Sequence, residues 1–263
     1  MPVRLRADNS VPDPDHRVID MTDYLTGRSN FRAHYYLAAC NNVFGGQDID
    51  INWADFNTAV NNFITTNGAD PALVAIKFVY CYDIAANTLY LRMEIMTMVP
   101  SQIVGINEYD LIPTPNAWYK ITQGSIVTTT NTDPYSNEYL NSFYYCDAPV
   151  CDPSSAQQLS SDLGQVYART VTFPWQSEIL QMYTDNGSPE GAQLSLGACS
   201  YVKKGESGTL DIFPHGLVLY LKDSTGAPML NDTQYVVLFE NKGCDMGTLC
   251  PPSCNVYIGE PVY

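Results

Sequence analysis

The sequence predicts an α+β fold: a mainly antiparallel β-sheet with two helix pairs packed on it, an extended N-terminal arm and a C-terminal tail. Three observations carry that prediction. A long hairpin is written between Leu73 and Val99, an amphipathic helical stripe with both caps precedes it, and two further helical stripes in the second half lead into short strand-forming runs.

The hairpin organises the rest. Two runs rich in β-branched, aromatic and aliphatic residues flank Ile84-Ala85-Ala86-Asn87, the length of a four-residue hairpin loop. With Asp83 opposite Thr88, one face pairs Tyr82 with Leu89, Tyr80 with Leu91, Phe78 with Met93 and Ile76 with Ile95. The other face sets Lys77 against Glu94 and Val79 against Arg92, so it reads as amphipathic. A slip of one residue would turn those charges into the core, which pins the register.

The remaining elements follow in order. Residues 1–20 contain Pro2, Pro12 and Pro14 and no apolar period, so they read as an extended arm. A helix is expected from Ser29 or Asn30, closed by Gly45-Gly46. Trp53, Phe56, Val60, Phe63 and Ile64 then recur at helical spacing, with Asn52 as N-cap and Asn67-Gly68 as C-cap pair. That stripe is suited to cover the core face of the hairpin. Beyond Pro100, Ile112-Pro-Thr-Pro-Asn116, Trp118–Ile121 and Ile126–Thr130 read as short strands broken by Pro and Gly turns. Asn131–Asn137 reads as a surface loop or subdivision point within one domain spanning 21–243. Asp152-Pro153 opens a helix whose stripe is Ala156, Leu159, Leu163, Val166 and Tyr167. Pro174 opens another, ending at Asp185-Asn186-Gly187, and strands are expected near Gln193–Val202, Thr209–Phe213, Leu217–Lys222 and Tyr235–Glu240. A Cys- and Pro-rich tail covers 244–263.

Composition narrows the function. Thirteen basic and twenty-eight acidic side chains give a formal charge of −15, which repels phosphate backbones and anionic lipid, so nucleic acid is not an expected partner. No apolar run reaches the length of a membrane span, and no apolar segment follows Arg4 and Arg6. The expectation is synthesis without a signal peptide and a cytoplasmic location, or release as part of an assembly, with no membrane insertion.

Candidate chemistry is thin. Cys244, Cys250 and Cys254 lie within eleven residues, and Cys146 with Cys151 forms a second pair. These thiols read as disulfide partners, as a zinc site lacking the usual C-x-x-C, or as plain thiols. Cys40 and Cys81 read as small buried hydrophobes. Gln47-Asp-Ile-Asp50-Ile-Asn52 opens like a calcium loop, but Trp53 stands where that loop needs Gly, and an acidic cluster at a helix N-terminus explains it better. Of three histidines, His215 in Phe213-Pro-His-Gly216 is the weak catalytic candidate, read in a turn between strands. Asp110, Asp211, Asp223 and Glu240 offer carboxylates without a reason to choose among them.

Nineteen tyrosines include Tyr135, Tyr139, Tyr144 and Tyr145, interleaved with Asn and Ser in the manner of an adaptable contact surface. Val256, Tyr257 and Ile258 begin an apolar terminal segment suited to joining a neighbour's sheet edge. The expected function is therefore a non-catalytic structural or self-assembly subunit of a filament, fibre or shell. It would form a homo-oligomer or polymer through its terminal segments, and no cofactor is expected. The alternatives are a hydrolase using carboxylates with His215, and a carbohydrate- or protein-binding module.

Overall fold

A computed structural model describes residues 3–6, 21–38, 42–43, 48–100, 108–129, 135–146, 151–154, 156–158, 170–200, 215–229, 238–240 and 256–257. The first half contains β1 (Val3–Arg6), α1 (Met21–His34), β2 (Tyr35–Ala38), β3 (Asn42–Val43), β4 (Ile49–Asn52), α2 (Trp53–Asn67), β5 (Val74–Asp83), β6 (Thr88–Pro100), β7 (Glu108–Thr122) and β8 (Ser125–Thr129). Then come α3 (Tyr135–Ser142), β9 (Tyr144–Tyr145), β10 (Gln157–Gln158) and β11 (Thr170–Pro174). A π-helical turn over Trp175–Leu180 runs into α4 (Gln181–Asp185), followed by β12 (Gln193–Ser200), β13 (His215–Lys222), β14 (Leu238–Glu240) and β15 (Val256–Tyr257).

The described strands form three sheets. The largest has seven strands in the order β11-β5-β6-β7-β1-β15, with β8 also on β7; the others run β10-β9-β2-β3 and β14-β13-β12-β4. Among the described residues, β1 with β15 is parallel and the other pairings are antiparallel. The fold is α+β with mainly antiparallel sheet.

The hairpin has the register its side chains require. Asp83 faces Thr88, Tyr82 Leu89, Tyr80 Leu91, Phe78 Met93, Lys77 Glu94 and Ile76 Ile95. Its loop places Asn87 at φ 51°, a left-handed conformation Asn tolerates, and the Tyr82 hydroxyl donates to the Asn87 side-chain oxygen at 2.5 Å. The second face is more enclosed than an amphipathic face would be. Val79, Cys81, Tyr90 and Met96 are buried, and Glu94 divides its oxygens between Lys77 at 3.2 Å and Arg92 at 2.7 Å. Glu94 is thus the shared counter-charge of both cations within the ladder.

The second helix is set by its caps. The Asn52 side-chain oxygen accepts from the Ala54 N–H at 2.8 Å, and Gly68 closes the helix at φ 58°. Trp53, Phe56, Ala59, Val60 and Phe63 are its buried stripe, and they share one core with the inner face of the hairpin. Nothing lies within 4 Å of a Cβ built at Gly68, so only backbone strain opposes a side chain there. Gly68→Ala is accordingly expected to lower stability by about 1 kcal/mol, read as a shift in urea midpoint with unchanged slope.

Other elements depart from the sequence reading. The first helix begins at Met21 and ends at His34, and Tyr35–Ala38 is a strand because Tyr35 and Tyr36 pair with Tyr145 and Tyr144. Glu108–Thr122 is one long strand despite Pro113 and Pro115. A register shift sets one residue of β6, Ile95, against the four of β7 between Trp118 and Pro113, so the prolines sit where the ladder is already irregular. Tyr135–Ser142 is a helix lying on β5, and its first turn takes in the end of the Asn131–Asn137 stretch that reads as a loop. Asp152 accepts from the Ser154 N–H in a turn, and β10 follows at Gln157–Gln158, so no helix is under way there; 159–169, Cys40, the Thr209–Phe213 run and Ile258 lie outside the described residues. The helix arrangement is looser than two pairs: among the described residues α1 packs on β12, α2 on β4 and β12, and α3 on β5, while α4 extends the π turn and meets α2 through Tyr183 stacked on Trp53.

Candidate functional site

The densest polar constellation lies on the β4-β12-β13 sheet. Side chains alternate along a strand. Ile49 and Ile51, Leu194 and Leu196, and Leu217, Leu219 and Leu221 therefore enter the core, while the intervening positions form the opposite face. Register aligns Asp50, Ser195 and Tyr220 across that face, with Lys222 one step along opposite Gln193. Helix α1 covers it and contributes Arg28.

Every polar group of Asp50 is engaged. Lys222 Nζ donates to Oδ1 at 2.7 Å, and the Ser195 hydroxyl donates to the same oxygen. Gln123 Nε2 donates to Oδ2 at 3.3 Å, while its Oε1 accepts from the Asp50 N–H at 3.0 Å. The Gly124 N–H donates to the Asp50 carbonyl at 2.7 Å, seating the tip of the β7–β8 hairpin on β4. Beside it, Asp48 Oδ2 accepts from Arg28 Nη1 at 3.2 Å and from the Tyr220 hydroxyl at 2.5 Å.

The electrostatics fix the chemistry. Burial by itself would raise the Asp50 pKa, but the Lys222 ammonium, the Ser195 hydroxyl and the Gln123 amide together hold it below the ordinary carboxylate value. A general base needs a lone pair facing a substrate proton and a pKa moved toward neutrality. Asp50 has its oxygens occupied and a pKa moved the other way, and Ser195 is fully buried. The arrangement does mechanical work: it ties α1, β4, the β7–β8 turn, β12 and β13 at one point.

A second knot joins α1 to the loop after β9. The Cys146 N–H donates to the His34 carbonyl at 2.9 Å, and His34 Nδ1 lies 2.6 Å from the Cys146 carbonyl. A carbonyl only accepts, so Nδ1 carries the hydrogen. Cys146 is disulfide-bonded to Cys151, which closes the loop on this anchor. Tyr145 stacks on His34 at 5.8 Å.

The sequence candidates are dispersed. His215 opens β13 opposite Ser200, so it belongs to a strand and not to a turn. Asp223 caps its own turn by accepting from Thr225 and Ala227; Asp110 lies in β7 and Glu240 in β14, while Asp211 falls outside the described residues. Tyr139 is buried and stacks on Tyr80 at 5.3 Å, Tyr145 is buried, and Tyr144 is half-buried. These three are spent within the chain to that extent, and Tyr135 occupies the start of α3. Val256 and Tyr257 face Arg4 and Leu5 of the same chain. Cys244, Cys250 and Cys254 lie outside the described residues, and among the described residues no three His, Cys, Asp or Glu side chains gather as a metal centre.

Asp48 and Asp50 carried a readable signal that pointed elsewhere. Acids at alternate positions resemble a calcium loop, but Asp50 is an outer-face position of β4 and Asp48 immediately precedes the strand, while Asn52 caps the helix that follows. The alternations Leu194-Ser195-Leu196 and Leu219-Tyr220-Leu221 supply the matching polar positions. No protein-family model matches this chain, and no curated protein or solved structure shows significant similarity to it.

Proposed function

We propose that the chain is a non-catalytic structural subunit that self-assembles into a filament, fibre or shell through protein–protein contacts. The observation that carries this reading is the outer end of the seven-stranded sheet. There two short strands, β1 of four residues and β15 of two, lie side by side, and among the described residues β15 joins the sheet through β1. Such short segments hold their places by few ladder bonds. The same segment from an identical neighbour restores those bonds, so exchange between copies costs little. The closed hydrogen bonding of Asp50 supports a scaffold better than a reaction centre. A charge of −15 favours protein partners over phosphate-rich ones. Among the described residues no helix is long and apolar enough to cross a membrane.

Light scattering coupled to size-exclusion chromatography, with electron microscopy of the same fractions, tests the reading. Ordered particles with masses in multiples of 29.2 kDa are expected. A single 29.2 kDa species across the accessible concentration range overturns it.

A further inference from the structure

We infer that the outer edge of β8 is a self-pairing interface, at which two copies of this chain join β8 to β8 in antiparallel fashion about a twofold axis. This rests on the self-assembly reading and specifies one of its contacts. Strand β8 bonds to β7 along one side, from Trp118 opposite Thr129 to Thr122 opposite Ser125. Among the described residues no strand takes its other side. The hairpin tip is already seated on β4 through Gly124 and Gln123, so the open length lies beyond Ser125. Val127 is 57% exposed there, and Thr128 is exposed beside it.

Edge strands of monomeric proteins are normally guarded by a lysine, a proline or a bulge that spoils pairing. Strand β8 has none of these. Its sequence Ser-Ile-Val-Thr-Thr carries neither charge nor proline, its register with β7 is unbroken, and residues 121–132 contain no charged side chain. A β-branched, uncharged run of this kind pairs readily with its own sequence.

The occupant follows from charge and symmetry. Copies that each carry −15 repel across most of their surfaces, and at physiological salt that repulsion reaches roughly 8 Å. An uncharged edge is where two of them meet without opposing like charges. A twofold axis through Val127 sets Val127 against its own copy, Ile126 against Thr128 and Ser125 against Thr129. Each pair is uncharged, and the two inner ones are β-branched, as antiparallel neighbours prefer.

The test uses the full chain with Val127→Lys and Val127→Cys, circular dichroism confirming an unchanged fold for each. Val127→Lys is expected to halve the mass of the smallest assembled species. Val127→Cys is expected to form, under mild oxidation, a covalent dimer at twice 29.2 kDa that the wild type does not form. Wild-type particles whose mass is unchanged by Val127→Lys, together with no covalent dimer, overturn the β8 interface and leave the self-assembly reading standing. A wild type that stops at a dimer abolished by Val127→Lys keeps the interface and removes the larger assembly. A wild type that remains at 29.2 kDa overturns both.

Discussion

Trp175→Ala lowers the stability of the chain by about 4 kcal/mol, in the range of large-to-small substitution of a buried tryptophan. Trp175 is 1% exposed and opens the π turn that joins β11 to α4. It lies 6.0 Å from Trp53 at an interplanar angle of 17° and 5.9 Å from Phe56, both on the buried stripe of α2. Trp53 in turn stacks on Tyr183 of α4 at 4.2 Å. Removing the indole therefore opens a cavity between two helical elements and the hairpin, and takes one ring from a connected stack. The walls of that cavity are held by β-sheet and by capped helix, so little collapse relieves it. For a chain of this size the melting temperature falls by roughly 10 °C. Trp175→Phe keeps an aromatic contact and loses less than half as much. An unfolding free energy for Trp175→Ala within about 1 kcal/mol of wild type, at equal denaturant slope, contradicts this packing.

The hairpin and α2 were legible because their information is local. Paired side chains across Lys77–Glu94 and Tyr80–Leu91 define one register, and Asn52 and Gly68 each satisfy one end of a helix by their own chemistry. What escaped is what distant segments decide. Phe31-Arg-Ala-His-Tyr-Tyr-Leu-Ala38 suits a helix by propensity, but Tyr35 and Tyr36 have partners 110 and 108 residues further on, and pairing ends the helix at His34. Pro113 and Pro115 mark breaks in most strands, yet β7 passes through them because the slack is taken up against β6. Tyr139 reads as surface beside its polar neighbours; only the arrival of α3 on β5 puts it against Tyr80. The polar layer is written as alternation in three separate strands, which the sequence reading did not connect. Its assembly depends on a register among β4, β12 and β13 that no single segment contains.

Asp50→Asn is expected to cost about 2–3 kcal/mol at neutral pH, less than the loss of a fully buried ion pair because the pair keeps some solvent contact. Side-chain exposure is 22% for Asp50 and 14% for Lys222. The amide still accepts from Ser195, but it leaves the Lys222 ammonium without its counter-charge in a site it cannot leave without disturbing β13. The pH dependence follows from the direction of the Asp50 shift. A carboxyl whose folded pKa is depressed contributes in full above its unfolded value, near 3.9, and loses that contribution as pH falls through the lower folded value. The gap between wild type and Asp50→Asn is therefore constant from neutrality down to about pH 5 and closes below about pH 4. Asp185→Asn, at an exposed position, stays within about 0.5 kcal/mol of wild type throughout. In a double-mutant cycle with Lys222→Met, the two substitutions are non-additive by about 1 kcal/mol or more. Additivity, or a gap that persists unchanged into acid, means that the ion pair does not hold β4 to β13 and that the layer draws its strength from its other hydrogen bonds.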